Sequence, residues 1–133
     1  MIIKERKLKG VFEITLSPRT DSRGFFMRTF DDSIFKEKGL DRNWVQENHS
    51  RSEEKGIIRG LHFQLPPFAE TKMVRCINGS VLDVFVDLRE DSETFGQFDS
   101  IELSADNKKI LVEIYKNDNE KIILKVIDEG KGF

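Results

Sequence analysis

The sequence predicts an all-β fold, a barrel or sandwich, and three observations lead there. Short runs rich in β-branched and aromatic residues recur between turn signals along the whole chain. Only one short segment has helical character, and no repeat, low-complexity tract or Pro/Gly/Ser linker breaks the pattern. At 133 residues the chain has room for one continuous core, so residues 1–133 are expected to form a single domain. Many evenly spaced strands with one small helix are the mark of such an antiparallel architecture.

Taken in order, the basic cluster Lys4 to Lys9, which also contains Glu5, reads as a solvated strand or arm. Val11–Leu16 and Gly24–Phe30 read as strands. Asp32–Lys38 reads as the helix, with Ile34 and Phe35 as its apolar contacts and Gly39 as its stop. Trp44–Asn48, Gly56–Gln64, Lys72–Ile77, Val81–Leu88 and Ser100–Leu103 follow as strands. Ile110–Lys116 and Lys121–Ile127 read as one hairpin turning at Asn117-Asp118-Asn119-Glu120.

The sharpest local signal is Asn78-Gly79, because this pair tolerates the two positive φ angles of a tight turn. It predicts a hairpin in which Val74 faces Asp83 and Lys72 faces Phe85. Alternation then puts Lys72, Val74, Cys76, Val81, Asp83 and Phe85 on one face. Met73, Ile77, Leu82, Val84, Val86 and Leu88 take the other, with Arg75. The second face is aliphatic, as a core or subunit interface requires. The first places Lys72 diagonally beside Asp83. Turned inward it lines a polar cavity of the kind that binds ligands; turned outward it is a surface ion pair.

Composition excludes several functions. A net charge of −2 and a pI near 5.8 do not suit general nucleic-acid binding. No apolar run approaches the ~18–20 residues of a membrane-spanning helix. Charge begins at Lys4, which argues against a signal peptide and makes the cytoplasm the expected location. One cysteine, Cys76, leaves no internal disulfide and no cysteine cluster for zinc. The two histidines lie thirteen residues apart, which does not supply a strand-borne His-x-His metal site. There is no Gly-rich nucleotide loop and no Gly-x-Ser-x-Gly elbow.

The histidines are the natural general-base candidates. His49 lies in a polar stretch and is expected to be exposed. His62 lies between Leu61 and Phe63, where partial burial would lower its pKa and keep it neutral; a histidine so placed is also a common structural residue. Arg23 and Arg59, each followed by glycine, suit bidentate capture of phosphate oxygens, or are surface arginines beside turns. Strict alternation sets Arg59 and His62 on opposite faces. A β-bulge at Gly60 would bring them to one side.

Read as strings, several segments resemble the dTDP-4-dehydrorhamnose 3,5-epimerase family. They are Gly10-Val-Phe-Glu-Ile, Asp21-Ser-Arg-Gly-Phe-Phe26, Val45-Gln-Glu-Asn-His-Ser50 and Ile58-Arg-Gly-Leu-His-Phe-Gln64. Lys72-Met-Val-Arg-Cys-Ile-Asn-Gly79, Asp83-Val-Phe-Val-Asp-Leu-Arg89, Ser92-Glu-Thr-Phe-Gly96 and Leu103-Ser-Ala-Asp-Asn107 continue the series. The resemblance implies a cupin-type antiparallel β-barrel or jelly roll, a nucleotide-sugar substrate, no cofactor and a homodimer. Its members pair through their sheets and exchange N-terminal strands, which agrees with strand edges and an aliphatic face in need of cover. His62 matches the family's base and Lys72 the lysine beside the reacting sugar. Arg23 and Arg59 match arginines on the diphosphate, and Phe26, Gln46 and Asn48 match the pocket around nucleotide and sugar. The implied chemistry is proton removal at C3 and C5 of a dTDP-4-keto-6-deoxyhexose, acidified by its own keto group, and return of the proton from the opposite face.

Three departures qualify the resemblance. The family has glutamate where Arg28 stands. The segment Pro-x-Gly-Phe-Ala-His-Gly-Phe that follows Leu-Ser-Ala-x-Asn in the family is absent. With it go the family's catalytic tyrosine and the aspartate that orients the base. Tyr115, in a Glu-Ile-Tyr-Lys string, either stands in for that tyrosine or packs on an edge strand, and Asp83 partly replaces the aspartate. Three functions remain open on these residues. They are an epimerase, a ketoisomerase on the same substrate class, and a non-catalytic relative that binds a nucleotide sugar or only assembles.

Overall fold

The computed structural model describes residues 1–114 and the strand at 122–128. Its strands are β1 (Ile2–Glu5), β2 (Val11–Thr15), β3 (Arg19–Asp21), β4 (Gly24–Phe26), β5 (Ile58–His62), β6 (Lys72–Arg75), β7 (Ser80–Asp87), β8 (Phe98–Ser104), β9 (Lys109–Glu113) and β10 (Ile122–Asp128). One helix, α1 (Asp32–Glu37), accompanies them among the described residues. The strands form two four-stranded sheets, ordered β1-β2-β9-β6 and β5-β10-β7-β8, with β3-β4 as a small separate ribbon. All these pairings are antiparallel.

The expected Lys72–Leu88 hairpin does not form. β6 pairs with β9, Lys72 opposite Glu113 and Val74 opposite Leu111, while β7 runs between β8 and β10. Gly79 takes a positive φ of +71° but Asn78 does not, so the tight two-residue turn is absent as well, and the chain bends there to cross from one sheet to the other. The physical reason is that a turn constrains two residues, whereas strand partners are chosen by what long-range pairing buries. The same correction applies at the C-terminal end: β9 and β10 belong to different sheets and are not paired with each other. The expected turn at 117–120 and Tyr115 lie outside the described residues.

Alternation survives the change of partners. Lys72, Val74 and Cys76 on one wall and Val81, Asp83 and Phe85 on the other are buried or half-buried, while Met73, Arg75 and Ile77 are exposed. A first core cluster, Leu8, Val11, Phe85, Ile101, Leu103 and Leu111, fills the space between the sheets, with Val74, Cys76 and Val81 packed against it. A second covers the outer face of the β2-β9 sheet, where Ile14, Ile110 and Val112 meet Leu16, Phe35 and Leu40.

Six residues cannot hold a helix in water by themselves, so α1 depends on this packing. Phe35 is fully buried and meets Phe30 edge-on at 4.8 Å between centroids. Burying such a side chain contributes about 1.5–3 kcal/mol. Asp31 caps the N-terminus by accepting from the Ile34 amide at 3.2 Å, and Gly39, at φ +73°, turns the chain out.

Two further expectations are corrected. Trp44–Asn48 is not a strand: no neighbour offers it a ladder, and Val45 is exposed. The strand expected at Gly24–Phe30 stops at Phe26, paired only with β3. The basic N-terminal cluster does contain an arm-like strand, β1, yet Arg6 is not a solvated charge. It reaches Glu13 at 2.6 Å and Asp99 at 2.9 Å across the seam of the two sheets.

Candidate active site

The decisive local feature is the irregularity in β5. On β10, Val126 opposes Arg59 and Leu124 opposes His62, so three steps on β5 match two on β10. Gly60, at φ +102°, is the extra residue of the bulge, in a conformation that side chains with a Cβ rarely adopt. Arg59 and His62 therefore share one face, as the bulge expectation requires. That face is the barrel's interior face, because Val126 and Leu124 also oppose Asp83 and Phe85, both fully buried.

β5 is an edge strand, and this decides how deep its residues lie. His62 is exposed, so the burial expected of it from its apolar neighbours is absent. Arg59 is also exposed and turns its guanidinium toward the Arg51 carbonyl and the Ser52 hydroxyl, each at 3.4 Å. His49 is exposed as expected.

Lys72 enters from the facing sheet. Its ammonium lies 3.1 Å from Glu70, and its side chain is largely sheltered. Lys72 and Asp83 do influence each other, but across the interior and not across a hairpin. Asp83 is fully buried, and neither of its oxygens accepts a hydrogen bond from the described residues. Burial pushes its carboxyl up to about 7, with the Lys72 charge pulling the other way.

Glu113 was not a candidate from the sequence. It stands opposite Lys72 on β9, is fully buried and also has no hydrogen-bond partner among the described residues. Burial, then the nearby Asp83, push its carboxyl up to about 8 against the pull of Lys72. A signal was present: a glutamate in the apolar run Ile110-Leu-Val-Glu-Ile, at the same parity as the buried Leu111.

The remaining candidates lie on the exposed β3–β4 ribbon and the loop after α1. Arg23 is bound by its neighbour Asp21, at 2.6 Å, and both are exposed. Beside them is an open groove of about 460 Å³ between Arg19 and Phe26, with Phe25 and Phe26 among its lining residues. Gln46 donates to Asn48 at 3.2 Å in the exposed loop. Arg28, the residue that reverses the family's charge, pairs with the helix-capping Asp31 at 2.6 Å.

Two facing antiparallel sheets that enclose a polar-ended interior, with one short helix outside, define a cupin-type barrel. The sequence model of the dTDP-4-dehydrorhamnose 3,5-epimerase family matches residues 5–113, and the chain belongs to that family. It is 51% identical over 92 residues to the dTDP-4-dehydrorhamnose 3,5-epimerase of Shigella flexneri, covering 68% of this chain and 50% of that one. Against the enzyme of Methanothermobacter thermautotrophicus the identity is 44% over 102 residues, 77% of this chain and 54% of that one. Among solved structures, the epimerase of Elizabethkingia anophelis NUHP1 superposes with a TM-score of 0.85 at 36% identity, covering 96% of this chain and 67% of that one. The Bacillus anthracis str. Ames epimerase, solved with TDP and PPi bound, gives 0.81 at 34% identity, covering 98% and 79%. The chain spans about half the length of the curated relatives it matches. No helix among the described residues is long and apolar enough to cross a membrane.

Proposed function

We propose that the chain is a cofactor-independent epimerase acting at C3 and C5 of a dTDP-4-keto-6-deoxyhexose. The observation that carries this reading is the bulge at Gly60, which sets His62 and Arg59 on the interior face in register with Phe85 and Asp83. His62 takes the proton next to the keto group. Lys72, from the opposite wall, stabilises the negative charge that develops on the C4 oxygen, and Asp83 sets the charge around it. Arg59 and Arg23 hold the diphosphate, with Phe26, Gln46 and Asn48 against the nucleotide and sugar. Support for the substrate class comes from the family and from relatives whose structures hold TDP or dTDP-4-keto-L-rhamnose.

Inversion also needs a donor on the face opposite His62, and Tyr115 is the one tyrosine of the chain. The test is solvent deuterium entering C3 or C5 of dTDP-4-keto-6-deoxyglucose. His62→Ala should abolish wash-in. Tyr115→Phe should leave exchange intact and cut inverted product by about 10²–10⁴-fold, the usual contribution of a general acid.

A second reading, nucleotide-sugar binding without turnover, is favoured by one observation: His62 and Arg59 are exposed on the edge strand β5. Binding of dTDP with no wash-in by the unmodified chain would establish it. A homodimer is part of the proposal, supported by exposed Met73 and Ile77 on the outward face of β6 and the turn after it. Sedimentation at micromolar concentration should give twice the chain mass; a monomer would remove this element.

A further inference from the structure

Among the described residues, two carboxyl side chains in the barrel interior have no hydrogen bond to stabilise their charge. Asp83 and Glu113 come from opposite sheets, are fully buried, and meet no donor among those residues at any of their four oxygens. Lys72, opposite Glu113 in the β6–β9 ladder, is the cation whose field reaches both. We propose that Asp83 and Glu113 act as one buried carboxyl pair sharing a single proton, and that Glu113 is through this pair a positioning residue for the Lys72 ammonium.

The argument is one of charge balance. Two carboxylates in a dry interior repel each other and lose hydration, so the second ionisation is suppressed. Glu70 lies on the half-exposed rim, where solvent screens it, so within the buried interior one negative charge balances the Lys72 ammonium and two would leave a charge uncompensated. The other charged groups around the interior are already committed or distant. Glu13 on β2 is bound by Arg6 and Lys109, and Asp99 on β8 by Arg6. Glu70 pairs with Lys72 from the half-exposed rim. Arg59 and His62 stand on the edge strand, with β10 between them and β7, roughly 10 Å of backbone away. Among the described residues of β10, only Asp128 is ionisable and in register with an inward β7 position, opposite Val81.

A pair with one proton gives Lys72 an interior counter-charge that does not outbid the C4 oxygen and that competes with Glu70, which holds the ammonium at 3.1 Å from the rim. That consequence rests on the proposed function; the shared proton does not. The experiment is a carbon-13 NMR titration of the full chain with labelled Asp and Glu carboxyls. One carboxyl should titrate near neutral pH, and Glu113→Gln should lower the Asp83 midpoint by more than about one pH unit. Asp83→Asn should lower that of Glu113 in the same way, which covers the case of one variant failing to fold. Two ordinary midpoints in the unmodified chain, or an Asp83 midpoint indifferent to Glu113→Gln, would overturn the pair. In the deuterium exchange assay, Glu113→Gln should shift the pH profile of wash-in by about one unit with dTDP affinity kept within about twofold. A profile that does not move would remove the positioning role. Absence of wash-in in the unmodified chain would instead remove the epimerase reading, and with it the catalytic consequence, while the titration still decides the pair.

Discussion

β7 carries two fully buried aspartates four residues apart on the same inward parity, Asp83 and Asp87, and their surroundings treat them in opposite ways. Asp87 accepts from the Arg89 guanidinium at 2.7 and 2.6 Å, from the Arg89 amide at 3.0 Å, and from the hydroxyls of Ser92 and Thr94 at 2.6 Å each. Burial works against its charge, but these donors together outweigh it and hold the carboxyl far below the ordinary range. Asp83 has burial without donors and rises to about 7. The difference teaches that depth does not decide the state of a buried carboxyl. The number of donors aimed at it does.

Origin separates the two as well. The Asp87 network is built within eight residues, by a loop that closes on itself through Asp87 amide to Gln97 carbonyl at 2.9 Å and Gly96 amide to Asp87 carbonyl at 2.8 Å. Such a cradle directs its donors onto one carboxylate. The Asp83–Glu113–Lys72 cluster joins three strands of two sheets, and its lack of donors is what leaves a proton available near neutral pH.

The comparison breaks most directly at Asp87. Asp87→Ala leaves Arg89 buried without its carboxylate, so the loss should be about 3–5 kcal/mol in urea unfolding at pH 7. Asp83→Asn at the same pH should cost less than about 1 kcal/mol or stabilise, since it removes a charge that was never satisfied. Equal losses would end the distinction.

The pH dependence should divide the same way. Asp83 and Glu113, pushed up to about 7 and about 8, hold between them a proton that the unfolded chain has released near pH 4. The folded state then binds more protons, and stability falls as pH rises through that window. Asp87, lowered, contributes in full above pH ~4 and loses its contribution as the solution is made more acid. Glu113→Gln should therefore flatten the decline between roughly pH 5 and 8, gaining about 1–3 kcal/mol at the alkaline end, and leave the acid limb unchanged. A decline just as steep in the variant would contradict this.

Gly10 tests the seam between the two regions. It sits at φ +82°, and an added Cβ would stand 3.2 Å from the Ile114 carbonyl, next after Glu113, and 4.0 Å from the Arg89 guanidinium. Gly10→Ala should cost about 1–2 kcal/mol in thermal or urea unfolding. A small effect belongs to Asp31, a carboxylate that accepts from the Ile34 amide and pairs with Arg28. Asp31→Ala should cost about 1 kcal/mol by the same measurement, placing it below Asp87 on a scale set by donor count.

Much of the architecture was legible before any coordinate. The helix at Asp32, the positive φ at Gly79, the inward parity of Lys72, Val74, Asp83 and Phe85, and the need for a bulge at Gly60 all rest on short-range sterics. Partner strands were not legible. Local residues gave a hairpin between β6 and β7, and another at the C-terminal end, where the fold places β9 and β10 in separate sheets. His62 was misjudged in depth for the same reason: apolar neighbours in sequence do not reveal that β5 is an edge.

What the sequence by itself determined was which residues share a face, because successive side chains on a strand must point to opposite sides wherever the strand is placed. It also determined where that rule had to fail, at a glycine free to take a positive φ. Only the tertiary structure decided what each face meets. Glu113, thirty residues from Asp83 and forty-one from Lys72 in the chain, comes to them only when two sheets close on a common interior, because that closure is driven by apolar burial summed over the whole barrel, which no short window of residues contains.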